Sequence, residues 1–409
     1  MNNPQVTIVV VPRERYQFAH ESLESLYENT AFAFNLVYVD NNSPTQLQKY
    51  LSVQSESKGF KLARSNRYLS PNQVRNVGLS FVETKYVVFV DNDVIFAPNW
   101  LTALVDCAEA TDATIVGSLV CQYQPFHEIV HCAGGEYLSA KEYAEFAAGK
   151  PCPSDRCLDD GANAPASLQD FEPIGSVSLA PDGERGLRPS VPKELCPDRG
   201  CGSHRSEWLL EEKTPYQNQR VNAVRDRLKR KTTGFVEFHS MLVRTKIFQQ
   251  IGMLDEKFCC TKEYLDFCMS VTRAGGTIYV EPDSVVTFRT HPPAPTMNWS
   301  DLPYFMLRWS DAWELSNLRH FQQKWNLKEN KYFQRRYKKL GKRRREALID
   351  PLMEKAAFLG EVNQKWLKKR LIKLEKKLNC YLSDRYSNSQ QEKAISIDRV
   401  WTDKQLINH

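Results

Sequence analysis

Long apolar runs are absent from this sequence. Nowhere in its 409 residues does one approach the roughly 18 apolar residues that a membrane-spanning helix requires. The longest early run, Val6 to Val11, is bounded by Gln5 and Pro12. The residues before it, Met1-Asn2-Asn3-Pro4, supply neither a basic n-region nor a cleavage site, so no signal peptide is expected. The expectation is therefore a cytoplasmic chain, at most one that works at the inner face of a membrane. In that compartment the 11 cysteines are expected mainly as thiols. Cys107, Cys121 and Cys268 lie within apolar stretches and read as core fillers. No internal repeat and no recognised nucleic-acid-binding motif is present, so nucleic acid is not an expected partner.

What is present is an ordinary globular composition, 42% hydrophobic and 25% charged, long enough for one large core or two domains. The first part alternates strand and helix. Val6 to Val11 is a β-branched run suited to a strand covered on both faces. A helix around Glu21 to Tyr27 follows, then a strand Leu36 to Asp40, a helix around Gln46 to Leu51 and a short strand Phe60 to Ala63. Ser70-Pro71 opens another helix, with serine at the N-cap, proline at the first turn, and Val74, Val77 and Phe81 as its buried stripe. The strand Tyr86 to Val90 ends at Asp91. This alternation predicts a mostly parallel, doubly wound α/β sheet. From about Gly149 to Pro215 the chain is rich in Pro, Gly, Ser and Asp without periodicity, and reads as an insertion. Regular structure is expected to resume at Gly234 to Phe238, followed by a helix Glu263 to Arg273, a turn at Gly275-Gly276, and strands Thr277 to Val280 and Val285 to Phe288. The expected division is 1–148, an insertion over 149–231, 232–300, and a helical region over 301–409.

Several constellations carry chemistry. Asp91-Asn92-Asp93 sits just past an apolar strand, where open parallel sheets bind ligands. Two carboxylates there repel unless a cation lies between them or one is protonated, and hard oxygen ligands suit Mg²⁺ or Mn²⁺. Asp40 ends the second strand and fits either a ribose or base contact or plain turn chemistry. Arg75 and Asn76 lie on the Ser70-Pro71 helix, where Arg75 fits a nucleotide phosphate or a surface position. Glu263 and Asp266 share one face of a helix start and fit either a general base or favourable dipole charges. His291 follows the last strand and is a candidate metal or phosphate contact. No Gly-rich, Lys-bearing phosphate loop occurs near residue 12, which disfavours a nucleotidyltransferase.

In this order the pieces resemble the family 2 glycosyltransferases of the GT-A fold, over about 1–140 and 232–295. The resemblance implies a donor pocket opened by the first strand at Pro12, with Asp40 on the base or ribose. It implies that Arg75-Asn76-Val77-Gly78 flanks the donor and that Asp91, Asn92 and Asp93 hold metal and diphosphate. The Gly252 to Phe258 segment and the helix Glu263-Tyr264-Leu265-Asp266-Phe267-Cys268 match the family's later motifs. Implied are transfer from a nucleoside diphosphate sugar to a saccharide, lipid-linked or protein acceptor, inversion at the anomeric carbon, and Asp91, Asp93 and His291 around Mg²⁺ or Mn²⁺. Two departures stand out. Tyr264 replaces the family's usual second acid, leaving Glu263 or Asp266 as base. The first strand runs into Pro12-Arg13-Glu14-Arg15 rather than Pro-Thr-Tyr-Asn.

Two features lie outside that frame. Cys152, Cys157, Cys196 and Cys201, with His204 nearby, are either free thiols or a zinc clamp. From Arg319 to Lys377 there are 20 Lys and Arg against 6 Asp and Glu, while the whole chain carries only +6. Leu367, Leu371, Leu374 and Leu378 recur there at helical spacing. Such a segment suits peripheral attachment to an anionic membrane over 319–377, or packing on its own core. A non-catalytic module acting through this basic tail is the rival to the enzyme reading.

Overall fold

A computed structural model of the chain describes residues 4–137, 212–289, 298–327, 329 and 331–405. The β-branched runs form the inner strands of a ten-stranded sheet. Its N-terminal part is β1 (Val6–Val11), α1 (Ala19–Glu28), β2 (Phe34–Asn41), α2 (Thr45–Lys58), β3 (Lys61–Ser65), α3 (Pro71–Leu79) and β4 (Tyr86–Asp91). There follow β5 (Val94–Phe96), α4 (Trp100–Thr111), β6 (Ile115–Gln122), β7 (Ile129–Cys132) and β8 (Glu136–Tyr137). From residue 212 onward come β9 (Glu212–Lys213), β10 (Lys231–Thr232), β11 (Ser240–Arg244), α5 (Glu263–Arg273) and β12 (Ile278–Phe288). The C-terminal region is helical: α6 (Leu302–Arg308), α7 (Asp311–Lys324), α8 (Lys331–Lys338), α9 (Lys342–Leu348), α10 (Asp350–Lys355) and α11 (Gly360–Gln405).

The strand order is β10-β12-β6-β11-β4-β1-β2-β3. The β4-β1-β2-β3 half is parallel, β6 and β12 are parallel to each other, and β11 runs antiparallel between β4 and β6. This is the α/β architecture with a helical C-terminal region that the sequence predicts. Alternation along β1 divides the core. Val6, Ile8 and Val10 face α1, α2 and α4, while Val9 and Val11 face α3 and α5. The second face extends into the C-terminal region through Leu318, Phe321, Trp325 and Phe333, so α7 and α8 share the core of the sheet.

Three expectations are corrected. The helix opened by Ser70 has the full capping box, with Gln73 N–H donating to Ser70 Oγ and Ser70 N–H to Gln73 Oε1. Its buried stripe, however, is not Val74, Val77 and Phe81. Val74 is buried, but Val77 and Phe81 are more than a third exposed. The face turned inward carries Val74, Arg75, Gly78 and Leu79, and a polar residue and a glycine hide it from hydrophobic periodicity. Gly78 is there because α3 lies directly on β1: a Cβ at that position would stand 2.3 Å from Val9 Cγ1. Second, Gly234 to Phe238 is a loop. Phe235 lies over Gly135 and makes one isolated bridge to it, and the strand begins only at Ser240. Third, the two short strands expected over 277–288 are one strand, β12, with an irregularity between Glu281 and Val285. The end of the insertion is structured as well, since β9 pairs with β8 and Arg220 bridges Ile129. Its four cysteines and His204 lie outside the described residues.

Gly78→Ala should destabilise the protein by about 1–3 kcal/mol through overpacking against Val9. Val77→Ser on the outer face should stay within about 0.5 kcal/mol. Urea unfolding of the two variants checks both.

Candidate active site

The ends of β1 and β4 are in register, with Val11 opposite Asp91. Asp91 and Asp93 are each 1% exposed. Carboxylates removed from water in this way need cations. The segment after Pro12, which is itself buried, supplies them. Arg13 donates to Asp91 Oδ2 at 2.8 Å, and Arg15 donates to Asp93 Oδ2 at 3.0 Å. Arg13 N–H also donates to Asn92 Oδ1 at 2.7 Å, closing the turn between the carboxylates. Arg15 adopts φ 81°, a left-handed conformation costly for a side-chain-bearing residue, and its guanidinium rests 4.7 Å from the centre of the Phe288 ring. Glu14 between them accepts from Arg308 at 2.7 Å and Trp309 Nε1 at 2.9 Å. The departure Arg13-Glu14-Arg15 is thus the clamp of the site.

The two carboxyls titrate apart. Burial opposes ionisation of Asp91, but Arg13 and a hydrogen bond from His239 overcome it, and the carboxyl is held well below the usual range. Burial and the neighbouring Asp91 push Asp93 upward, against the pull of Arg15. Each keeps one oxygen, Asp91 Oδ1 and Asp93 Oδ1, buried and without a hydrogen bond among the described residues.

Arg75, 2% exposed, connects this pair to the acidic helix. Its guanidinium lies 3.9 Å from Asp91 Oδ1, 3.8 Å from Glu263 Oε1 and 3.8 Å from the centre of the Phe238 ring, with Asn72 Oδ1 accepting at 3.1 Å. Burial, with Arg13 and Arg308 nearby, lowers its pKa to about 10 even though Glu263 and Asp91 pull it upward. Glu263 and Asp266, at the start of α5, have different surroundings. Glu263 lines the cavity with Arg75, and its Oε2 has no hydrogen bond among the described residues. Asp266 accepts from Trp325 Nε1 at 2.8 Å and from Lys324 Nζ at 2.9 Å, and so ties α5 to α7.

The remaining expected residues are distributed as follows. Asp40 lies two strands from Asp91; its carboxylate accepts from Ser43 N–H at 3.0 Å and Arg64 Nε at 2.8 Å. Asn76 clips α3 to the Gly252 to Phe258 segment, donating to Leu254 O and Glu256 Oε1 and accepting from Leu254 N–H. His291 lies outside the described residues.

The site opens into a cavity of about 270 Å³ lined by Arg13, Arg75, Asp91, His239 and Glu263. It shares Thr261, Arg336 and Arg343 with a neighbouring basic cavity of about 320 Å³, to which Arg335, Lys339 and Lys342 also contribute. Sequence reading missed four participants: Arg13 and Arg15, seen only as a departure, and the pair Glu237 and His239. His239 Nδ1 lies 2.8 Å from Asp91 Oδ2, and Glu237-Phe238-His239 immediately precedes β11, an acid and an imidazole two residues apart at a strand start.

Residues 7–143 match the family model described as glycosyl transferase family 2. The teichoic acid poly(glycerol phosphate) polymerase of Staphylococcus epidermidis is 26% identical over 142 residues, 34% of this chain and 20% of that protein, so the match takes in a minor part of the relative's length. Among solved structures, GalNAc-T7 with UDP, GalNAc and Mn²⁺ aligns over 84% of this chain and 57% of its own, at 12% identity and TM-score 0.44. The mannosyltransferase PcManGT of Pyrobaculum calidifontis, in complex with GDP-Man and Mn²⁺, aligns over 93% and 85%, at 12% identity and TM-score 0.43. TarS of S. aureus aligns over 81% and 47%, at 13% identity and TM-score 0.39. Structural similarities of this size carry no statement about substrate or metal.

Replacing Arg15 by Met should remove the counter-ion of the buried Asp93 carboxyl and cost up to about 3–5 kcal/mol. The double variant Arg15→Met/Asp93→Asn should recover much of that loss. Urea unfolding of the single and double variants measures the coupling.

Proposed function

We propose, from the membership of residues 7–143 in glycosyl transferase family 2, that this chain moves a sugar from a nucleoside diphosphate sugar to an acceptor hydroxyl. The observation that carries the proposal is Arg75, held between Asp91 and Glu263 over one cavity. It brings a carboxylate pair suited to a diphosphate's counter-ion next to a carboxylate suited to deprotonation.

The free oxygens Asp91 Oδ1 and Asp93 Oδ1 fit a hard cation, Mg²⁺ or Mn²⁺, even though an arginine takes the other oxygen of each. A cation bound there neutralises charge on the departing diphosphate. Arg13 and Arg75 face the same cavity and suit its phosphates. Pro12, Asp40 and Asn92 are assigned to the donor, and Asn76 holds the adjoining segment in place. Glu263 is the base. Its carboxylate takes the acceptor's hydroxyl proton as the acceptor oxygen bonds to the anomeric carbon. The bond from that carbon to the diphosphate breaks, its electron pair leaves with the diphosphate, and the configuration inverts. Asp266 is engaged by Lys324 and Trp325 and acts as a structural anchor.

The adjoining basic cavity favours an acceptor that carries phosphate or carboxylate, lipid-linked or polymeric. No helix among the described residues is long and apolar enough to cross a membrane. The helix α11 packs by an unusual face: Glu375, Asn379 and Ser383 are buried, and Glu375 pairs with the buried Arg344 of α9. Its other face leaves Val362, Trp366, Leu374, Leu378 and Tyr381 exposed among lysines, with Phe358 just before it. That combination suits peripheral attachment to an anionic bilayer.

A panel of nucleoside diphosphate sugars, read by release of free nucleoside diphosphate with and without Mn²⁺, tests the activity. Glu263→Gln should lower kcat by about 10²-fold or more with donor affinity unchanged. Asp266→Asn should act mainly on stability. Donor binding without turnover for every donor and acceptor would favour the non-catalytic module.

Cosedimentation with anionic liposomes, but not neutral ones, is expected at low salt. At about 1 kcal/mol per basic residue near the surface, several residues acting together suffice. Trp366→Ser/Leu374→Ser should weaken it, and so should added salt. Equal binding to neutral vesicles would leave α11 as a packing element.

A further inference from the structure

His131 on β7 and Glu237 and His239 before β11 bring three donor atoms within 4.8 Å of one another. The hydrogen bonds behind the rings fix which nitrogens face inward. Gln122 Nε2 donates to Asn218 Oδ1 at 2.6 Å, so Gln122 turns its Oε1 to His131 Nδ1 at 3.0 Å, and Nδ1–H donates there. His239 Nδ1 faces the Asp91 carboxylate at 2.8 Å and is likewise the donor. The inward atoms are then His131 Nε2 and His239 Nε2, at 3.1 Å and 3.4 Å from Glu237 Oε2. Two imidazole nitrogens converging on one carboxylate oxygen are compensated by a proton on a ring or by a cation between them.

We propose that His131, Glu237 and His239 form a divalent-cation site separate from the Asp91–Asp93 pair, taking a borderline cation such as Zn²⁺ or Mn²⁺ in preference to Mg²⁺. Two imidazoles and one carboxylate are the donor set for such ions, whereas Mg²⁺ favours oxygen. The outer shell is that of a ligating histidine: each Nδ1–H meets an oxygen acceptor that fixes the ring. The Phe288 ring lies against both imidazoles, at 4.4 and 5.7 Å between centres, and walls the cluster on one side. The other side opens to the 270 Å³ cavity, leaving room for a fourth ligand oxygen. The proposal stands on this geometry and is independent of sugar transfer.

The test titrates Zn²⁺ and Mn²⁺ into the metal-free full-length chain by calorimetry and looks for ¹⁴N couplings to bound Mn²⁺ by pulsed electron paramagnetic resonance. One equivalent with nitrogen coupling is expected. His131→Gln should weaken it about 100-fold or more, and the outer-shell Gln122→Leu about 10–100-fold, while Asp93→Asn leaves it unchanged. Circular dichroism confirms the fold of each variant, and the Gln122 variant carries the test if the His131 variant fails to fold. Additional binding without nitrogen coupling, lost with Asp93→Asn, belongs to the carboxylate pair and leaves the proposal standing. Absence of nitrogen-coupled binding, or nitrogen-coupled binding unaffected by both His131→Gln and Gln122→Leu, overturns it.

Discussion

The site depends on compensating two carboxylates that the sheet has removed from water. Asp91 ends the central strand β4, where hydrogen-bonding register rather than charge decides its position, and Asp93 lies in the turn just after it. A pair so buried would otherwise take up protons or disrupt the fold. The chain meets the demand with the residues nearest in space, Arg13 and Arg15 from the end of β1, and with Arg75 from below. Each arginine takes a position fixed by a carboxylate, and each one's second neighbour is part of the site: Arg13 reaches His239, Arg15 reaches Phe288, Arg75 reaches Glu263. Charge compensation is therefore also what arranges the cavity.

The same logic holds the C-terminal helices in place. Glu14 is left over when its neighbours turn toward Asp91 and Asp93, and it is satisfied by Arg308 and Trp309 of the α6 end. Asp266 is satisfied by Lys324 and Trp325. Arg344 is satisfied by Glu375, Asp311 and the Trp309 carbonyl. The basic surplus seen in the sequence is thus partly internal: some of those cations are counter-ions to buried acids, and others line the cavity beside Thr261 or the surface of α11.

What was legible in the sequence is what local patterning determines. The runs Val6 to Val11 and Tyr86 to Val90 could only be inner strands, Ser70-Pro71 only a helix start, and Asp91 and Asp93 consequently sit at a strand tip. Legibility failed where a distant partner sets the role. Val77 looked buried because it is apolar, whereas Arg75 and Gly78 face inward because Asp91, Glu263 and Val9 are there. Phe235 looked like part of a strand, yet it covers Gly135 from another segment. Arg13 and Arg15 read as a departure because their purpose lies 78 residues away in the chain, and the His131–Glu237 contact spans 106. Glu263 and Asp266 could not be separated by spacing, since only the placement of α7 gives one of them a lysine and a tryptophan.

The Glu14 arrangement also bears on the order in which the molecule can be made. Translation releases the N-terminal strands first, and domains tend to fold as they emerge. Here an acid at the very first turn awaits partners 294 and 295 residues downstream. Until Arg308 and Trp309 have left the ribosome, the Glu14 carboxylate lacks the two donors that hold it in its native place. The first βα unit must therefore remain provisional, open to water at the mouth of the future pocket, and lock only when the residues 294 and 295 positions downstream have been delivered.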